Sequence, residues 1–290
     1  MGPEYSSALA TVYFVPNEIR AERTPMNDTV LYESDAGIVT LTFNRPKVMN
    51  ALDASMREGL EAAVDRVEAD PGVRVVVLKG AGGGFMAGGD IKFFTEITPL
   101  APAERTRSFE KFIHHVHPLI LQLRRLRQPL IASVHGPVAG IGMSFLMASD
   151  LAIAADDSFY TLAYCHLGTS PDGGSTFFLP RTLGMKRAME VALLGDRFDA
   201  KTALALGLVN WVVPAAELGD RTAVLARRLA SGPVEAYAGT KRLLNQSLGS
   251  SLETQLQAEA ETFARCTGTE DFVEGVAAFI AKRPPKFQGR

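Results

Sequence analysis

The stretch HGPVAGIGMSFLMASDLAIAAD, residues 135–156, joins a glycine-rich turn to two short apolar runs. Residues 143–148 are apolar enough to form the first turns of a buried helix, and residues 151–155 resemble a short strand. The N-terminus of a helix presents backbone N–H groups without intrahelical partners and a partial positive charge, which suits an oxyanion or a phosphate. Close packing of a helix through small residues explains the same glycines, so the spacing alone leaves both interpretations open.

A second glycine-rich stretch, GAGGGFMAGGDIKFF, covers residues 80–94. It lacks the Gly-Lys-Ser/Thr of a phosphate-binding P-loop and does not match G-x-G-x-x-G. Its glycines either let the backbone turn N–H groups towards a ligand or form a flexible connection between a strand and a helix.

Each glycine-rich stretch follows an apolar run. Residues 73–78 and 130–134 are almost continuously apolar, the pattern of strands buried on both faces. Residues 37–43 form a third, β-branched run, and Asp53 is a candidate N-cap for a helix that stops before Pro71. The repeated order of strand, glycine loop and helix predicts an α/β layer fold.

From about residue 217 the pattern becomes helical throughout. We therefore divide the chain into an N-terminal extension (1–28), an α/β core (29–216) and a C-terminal helical region (217–290).

Composition excludes several functional classes. The 290 residues are 47% hydrophobic and 21% charged, with a formal net charge of -2. This is ordinary globular composition, and it provides no global positive field for nucleic acid or an anionic bilayer. We expect neither as a partner, and any anionic ligand must meet local charges.

The cysteine content and the apolar segments indicate the cellular compartment in which the protein is expected. Cys165 and Cys266 are too few for a disulfide framework and lack zinc-ligand spacing, which favours a reduced, cytoplasmic setting. The N-terminus lacks the pattern of a secretory signal or transit peptide. The longest apolar stretch, residues 141–155, is interrupted by Ser149 and Asp150, so no membrane span is expected.

Five motifs in order resemble those of the crotonase, or enoyl-CoA hydratase/isomerase, superfamily. They are Asn44-Arg45-Pro46 with Asn50-Ala51-Leu52, FMAGGDIKFF (85–94), the stretch at 135–156, LGTSPDGGSTFFLPRTLG (167–184) and ALALGLVNWVV (203–213). The resemblance covers residues 29–287. It implies a spiral of ββα units followed by a C-terminal helical region that builds homotrimers, often paired into hexamers.

The resemblance also implies a site for an acyl-CoA thioester. Backbone N–H groups matching Gly89 and Ile141 would form the oxyanion hole for the thioester carbonyl. The coenzyme A part of the substrate would be met by Arg45, Lys47, Val48, Ala87, Gly89, Asp90 and Ile91, with Phe279 and Lys282 contributed by a neighbouring subunit. No separate cofactor and no metal are implied.

The acid/base residues depart from the hydratase pattern. Hydratases of this family use two glutamates, and the matching positions here are Ser144 and Tyr164, neither of which is a base at neutral pH. The best remaining carboxylate is Asp172, which matches the single catalytic acid of the double-bond isomerases and the nucleophilic aspartate of the aryl-CoA dehalogenases. Pro-Asp-Gly is also an ordinary turn sequence.

These residues favour an enoyl-CoA isomerase in which Asp172 moves the proton and Tyr164 donates a hydrogen bond or walls the acyl pocket. The alternatives are a hydratase that recruits water differently, a dehalogenase or hydrolase, and a non-catalytic acyl-CoA-binding subunit. His114, His115 and His117 are interpreted as solvated or packed, because no metal-ligand partner stands out. Asp150 is interpreted as structural.

Overall fold

Nine strands lie within residues 27–289, the part of the chain that the computed structural model describes. They are β1 (Val30–Asp35), β2 (Ile38–Phe43), β3 (Val75–Gly80), β4 (Leu130–Val134), β5 (Pro137–Ala139), β6 (Leu151–Ala155), β7 (Phe159–Thr161), β8 (Phe198–Asp199) and β9 (Trp211–Val213). The predicted N-terminal extension, residues 1–28, lies almost entirely outside the described residues.

The strands form two sheets. The larger has the order β1-β2-β3-β4-β6-β9, in which only the β1–β2 pair is antiparallel. The smaller has the order β5-β7-β8. Parallel neighbours require crossover connections, and helices supply most of them.

The described residues also contain eleven α-helices. They are α1 (Ala54–Ala69), α2 (Ile91–Ile97), α3 (Pro102–Arg125), α4 (Ile141–Ala148), α5 (Ser175–Leu183), α6 (Met185–Leu194), α7 (Ala200–Ala205), α8 (Leu218–Ala230), α9 (Val234–Ser247), α10 (Leu252–Thr267) and α11 (Glu270–Ile280). The predicted N-cap is present, because the Asp53 carboxylate accepts a hydrogen bond from the Met56 N–H at 2.8 Å. The helix that it caps, α1, ends before Pro71 as expected.

The large sheet is buried on both faces, as its apolar runs predict. Val76 and Leu78 of β3 face the main core, whereas Val75 and Val77 belong to a second cluster that includes Ala226 of α8. Alternate residues of a strand point to opposite faces, so the continuous apolar run follows directly from this double cover.

Helix α8 therefore belongs physically with the sheet. The predicted boundary at residue 217 separates this helix from the strands it covers, since Leu225 and Leu229 also pack on the second cluster. Helices α10 and α11 differ from α8, because they leave large apolar side chains exposed, among them Phe263 (71%) and Phe279 (85%).

Strand β1 has no counterpart in the sequence predictions. Its residues VLYESD carry only one fully buried side chain, Val30, because it is an edge strand. Among residues 27–289, no helix combines the length and apolar character needed to cross a bilayer.

Candidate active site

The two glycine-rich stretches lie against each other. The Phe85 N–H donates to the His135 carbonyl at 2.8 Å, and Met86 exchanges hydrogen bonds with Pro137 and Ala139 at 3.1 and 2.9 Å. Met86 forms an isolated parallel bridge to Val138 of β5. Segments fifty residues apart in the sequence are thereby fixed in register by backbone bonds.

Several of the glycines serve this close contact. A Cβ atom on Gly136 would lie 2.2 Å from the Gly83 carbonyl oxygen, and one on Gly80 would lie 2.1 Å from the Gly84 oxygen. No side chain fits at either position. These two glycines therefore allow close contact between backbone segments outside the helices, which differs from both the helix packing and the flexible connection considered above.

Two other glycines shape the backbone directly before a free donor. Gly88 (φ 112°) precedes Gly89, and Gly140 (φ 51°, ψ -121°) precedes Ile141. Both backbone conformations are ones that L side chains rarely adopt. A Cβ on Gly140 would lie 3.5 Å from the Gly88 Cα, so the two turns touch.

The N–H groups of Gly89 and Ile141 remain available. Leu52 bonds to the Gly88 carbonyl and to the Asp90 N–H, at 2.8 and 2.9 Å, so the parallel-bridge pattern turns the Gly89 N–H away from Leu52. Ile141 is the first residue of α4, where an N–H has no intrahelical acceptor. Within residues 27–289, neither N–H donates to a protein acceptor.

A cavity of about 920 Å³ opens in front of these turns. Its walls include Gly89, Ile141, Tyr164 and Asp172, with aliphatic and aromatic side chains from α2 and α3. This volume is in the range of sites that enclose small organic ligands.

Tyr164 and Asp172 form the polar pair of this cavity. The Tyr164 hydroxyl donates to the Asp172 carboxylate. Burial, together with the negative charge of Asp172, raises the pKa of the Tyr164 hydroxyl far above its usual range. Tyr164 therefore keeps its proton and acts as a donor, and its oxygen lies 4.0 Å from the position of a Cβ on Gly140.

Asp172 is held by the turn that begins α5. Its carbonyl accepts hydrogen bonds from the Ser175 N–H and hydroxyl, at 3.1 and 2.9 Å, and Gly173 and Gly174 both have positive φ. The turn interpretation of Pro-Asp-Gly is thus correct for the backbone. It leaves the carboxylate free to face the cavity.

Ser144 lies beneath this turn. It is fully buried, its hydroxyl is 2.8 Å from the Ser175 hydroxyl, and a Cβ on Gly173 would lie 2.7 Å from its oxygen. The Ser144 hydroxyl also donates to the Asp172 carbonyl at 3.3 Å. Ser144 supports the Asp172 turn from below.

Comparison with known proteins agrees with this geometry. Residues 33–290 match the family model described as enoyl-CoA hydratase/isomerase. The chain is 37% identical over 267 residues to 1,2-epoxyphenylacetyl-CoA isomerase of Escherichia coli, covering 91% of this chain and 100% of that protein. It is 36% identical to a probable enoyl-CoA hydratase of Rhodobacter capsulatus, covering 90% and 98%.

Solved structures of similar proteins have the same fold. An enoyl-CoA hydratase from Polaromonas sp. JS666 superposes with a TM-score of 0.83 at 32% identity, covering 89% of this chain and 99% of that one. The chain belongs to the enoyl-CoA hydratase/isomerase family. The crotonase fold expected from the five motifs is confirmed, and acyl-CoA chemistry is consistent with family membership.

The predicted coenzyme A contacts of this family member fall into distinct groups. Ala87, Gly89 and Ile91 line the cavity. Lys47 and Val48 are exposed on the adjacent 3-10 helix. Phe279 and Lys282 do not line the cavity of the single chain; Phe279 borders a separate groove against Pro233 and Phe287.

Arg45 and Asp90 are engaged with each other. The Arg45 guanidinium lies 2.9 Å from the Asp90 carboxylate and 3.0 Å from that of Asp53, and it also donates to the Ala51 carbonyl. Asp90 caps α2 through the Lys92 N–H at 2.9 Å, and its bonds to Arg45 and Lys92 lower the carboxyl pKa despite burial. Both side chains are thus held beside the turn that contains Gly89, so any contact with a nucleotide would share these bonds.

From the sequence, no ligand-binding role was assigned to three polar residues that border the cavity. Glu110, His114 and His117, all on α3, line the cavity, whereas His115 does not. The spacing of 110, 114 and 117 is that of one helix face, which was the available signal. All three histidines are exposed, as their interpretation as solvated or packed allows, and His114 and His117 in addition border the cavity. Within the described residues, no group of His, Cys, Asp and Glu side chains is arranged to hold a metal.

Proposed function

We propose that this chain is an enoyl-CoA double-bond isomerase in which Asp172 acts alone as base and acid. The observation that carries the proposal is the Tyr164–Asp172 pair beside two unpartnered N–H groups. The side chains at positions 144 and 164 supply no carboxylate, so the glutamate pair that would hold water for hydration is missing.

The reaction requires one proton to move twice. The Asp172 carboxylate removes a proton from C2 of a 3-enoyl thioester, and the electron pair delocalises onto the thioester oxygen as a dienolate. The N–H groups of Gly89 and Ile141 stabilise that negative charge; losing one such donor typically costs about 3 kcal/mol of barrier. The protonated Asp172 then returns the proton to C4, which yields the 2-enoyl thioester.

Tyr164 is assigned a positioning role. Its protonated hydroxyl fixes the Asp172 carboxylate by a charge-assisted hydrogen bond and keeps it turned to the cavity. The coenzyme A part of the substrate is expected to lie near Lys47, Val48, Ala87 and Ile91, with Phe279 and Lys282 of a second copy completing the site in a homotrimer or hexamer.

The first test is proton NMR in D2O with a 3-enoyl-CoA and, separately, a 2-enoyl-CoA. The proposal predicts migration of the double bond with deuterium exchange and no 3-hydroxyacyl product. Formation of 3-hydroxyacyl-CoA would instead identify a hydratase. Binding of both esters without turnover would identify a non-catalytic acyl-CoA-binding subunit.

The matched variant is Asp172→Asn. Asparagine keeps the shape, the oxygen that accepts from Tyr164 and the backbone turn, so CoA-ester binding should change less than about threefold while turnover falls by at least ~10³-fold, the upper range for a lost acid/base group. Asp157→Asn, which removes an exposed carboxylate outside the cavity wall, is the control and should keep full activity. Full activity of the Asp172→Asn variant would contradict the assignment of Asp172 as the catalytic base and acid.

A further inference from the structure

The cavity extends from Asp172 along α3, where three phenylalanine rings form part of its wall. Phe94 of α2 and Phe109 of α3 lie edge to face with ring centroids 5.1 Å apart, and Phe112 completes the set. Phe93 packs against Phe112 with ring centroids 4.5 Å apart and an angle of 36° between the ring planes. Aromatic walls favour a planar ring, which gains edge-to-face and stacking contacts beyond the area that it buries.

Beside these rings runs the polar edge of Glu110, His114 and His117. Their spacing of four and three residues places them on one stripe of α3. All three residues are exposed, and within the described part of the chain none of their side chains has a hydrogen-bond or ion-pair partner, so they are solvated when the cavity is empty. An alkyl chain laid over them would displace that water and return no hydrogen bond, which is unfavourable.

The hydrogen-bonding types of these three side chains restrict which chemical group of a substrate can bind beside them. The Glu110 carboxylate only accepts hydrogen bonds, whereas an imidazole ring of His114 or His117 also donates. A hydroxyl satisfies both, because it donates one hydrogen bond and accepts others. A carboxylate on the acyl group would be repelled by Glu110.

We propose that Glu110, His114 and His117 form a hydroxyl-binding subsite, and that the preferred acyl group carries a hydroxylated ring distal to the thioester. This inference rests on the proposed function, since it assumes that the thioester carbonyl lies at Gly89 and Ile141. Glu110, His114 and His117 then determine specificity and take no part in proton transfer.

The test compares two thioesters that differ by one hydroxyl: 5-phenylpent-3-enoyl-CoA and 5-(4-hydroxyphenyl)pent-3-enoyl-CoA. Their Kd values are measured by calorimetry in the Asp172→Asn background, where no turnover interferes, and kcat/KM is measured in the parent. A hydrogen bond to a charged group contributes about 1.5 to 3 kcal/mol, so we expect at least ~10-fold tighter binding of the hydroxylated ester.

The double variant Glu110→Ala/His114→Ala should reduce that preference to less than about twofold, through weaker binding of the hydroxylated ester. Binding of the phenyl ester should not weaken, because the variant removes polar groups that this ester leaves without a hydrogen bond. Lys111→Ala, an exposed neighbour on α3 outside the cavity wall, should keep the full preference. Equal affinities for the two esters, or a preference that survives the double variant, would overturn the subsite.

The two proposals fail differently. Isomerisation of both esters with no hydroxyl preference would leave the isomerase intact and remove the subsite. A hydroxyl preference in binding that depends on Glu110 and His114, without any isomerisation in the parent, would keep the subsite and remove the isomerase.

Discussion

At the scale of single residues, burial determines the protonation state of Tyr164 in the candidate active site. The hydroxyl of Tyr164 cannot ionise near neutral pH because burial and the Asp172 charge favour its protonated form. The replacement of a carboxylate by tyrosine was visible in the sequence. The bond from Tyr164 to Asp172 was not, since it depends on the 3-10 helix that begins at Tyr164 and on the turn that follows Pro171.

The effect of burial on a tyrosine pKa can be measured through the free energy of unfolding, and Tyr160 is the residue suited to this measurement. It is fully buried, its hydroxyl lies 2.9 Å from that of Ser158, and burial raises its pKa to about 12. Between pH 10 and pH 12 the unfolded chain has lost this proton while the folded chain keeps it, so stability falls as pH rises. At 1.36 kcal/mol per pKa unit, Tyr160 should contribute a loss of about 3 kcal/mol across that window.

The measurement is urea unfolding at several pH values for the parent and for Tyr160→Phe, which keeps the ring stacked on Phe198. The difference in free energy of unfolding between the two proteins should be constant below pH 10 and move in favour of the variant above it. Tyr237→Phe serves as the control, and a parallel pH dependence of parent and Tyr160→Phe would refute the shift.

At the scale of elements, the proposed oxyanion hole lies where two turns are in contact. The sequence located both glycine-rich turns, and the family resemblance predicted the donor role of the N–H groups at 89 and 141, which stays a prediction. It could not separate glycines that allow backbone contact, such as Gly136, from those that aim a donor, such as Gly140. That distinction depends on which carbonyl faces each Cα across the contact, and residues fifty positions apart supply it.

Gly140→Ala tests the donor at this scale. The φ and ψ of Gly140 are unsuited to alanine, so the turn should shift and misplace the Ile141 N–H. Because one lost oxyanion donor typically costs 10² to 10³ in kcat, we expect a fall of about that size with CoA-ester affinity largely retained.

Gly83→Ala is the matched control for Gly140→Ala. Gly83 lies in the neighbouring loop, has no positive φ, and a Cβ there would meet nothing within 4 Å. Its kcat should stay within about twofold of the parent, since surface changes without a named mechanism have small effects. Equal losses in the two variants would point to general loop damage and contradict the donor role.

At the scale of the whole molecule, the fold fixes the relative positions of distant helices and strands, which the sequence pattern alone did not predict. The apolar runs predicted the doubly covered sheet, but the packing of α8 on it and the direction of α3 along the cavity arise from contacts between distant segments. Glu110 and His114 are exposed residues, and the sequence alone gives no sign that they border a cavity. They do so because α3 lies along the cavity in front of the turns at Gly89 and Ile141.

The C-terminal helices are tied to the core by a buried ion pair. Lys241 of α9 lies 2.7 Å from the Asp150 carboxylate, which also accepts the Leu130 N–H at 2.8 Å, and Arg124 is 3.7 Å away. Burial lowers the pKa of Lys241, although the charge of Asp150 opposes this. The pair thus joins α9 to the first residue of β4, which agrees with the structural interpretation of Asp150.

Removing one partner should cost more than removing both. Lys241→Met leaves the Asp150 charge short of its closest partner and should lower the free energy of unfolding by about 3 kcal/mol, because breaking a buried pair strands a charge. In Asp150→Asn/Lys241→Met both charges of the pair are gone, asparagine still accepts the Leu130 N–H, and the Arg124 guanidinium that loses Asp150 is about one third exposed to water, so the double variant should be more stable than the single one. Urea unfolding followed by circular dichroism at one fixed protein concentration measures both, with the exposed Lys201→Met as a control expected within about 0.5 kcal/mol of the parent. If Lys241→Met were as stable as the parent, the ion pair would not be what holds α9 to the sheet, and the apolar contacts of the helix alone would have to account for its docking.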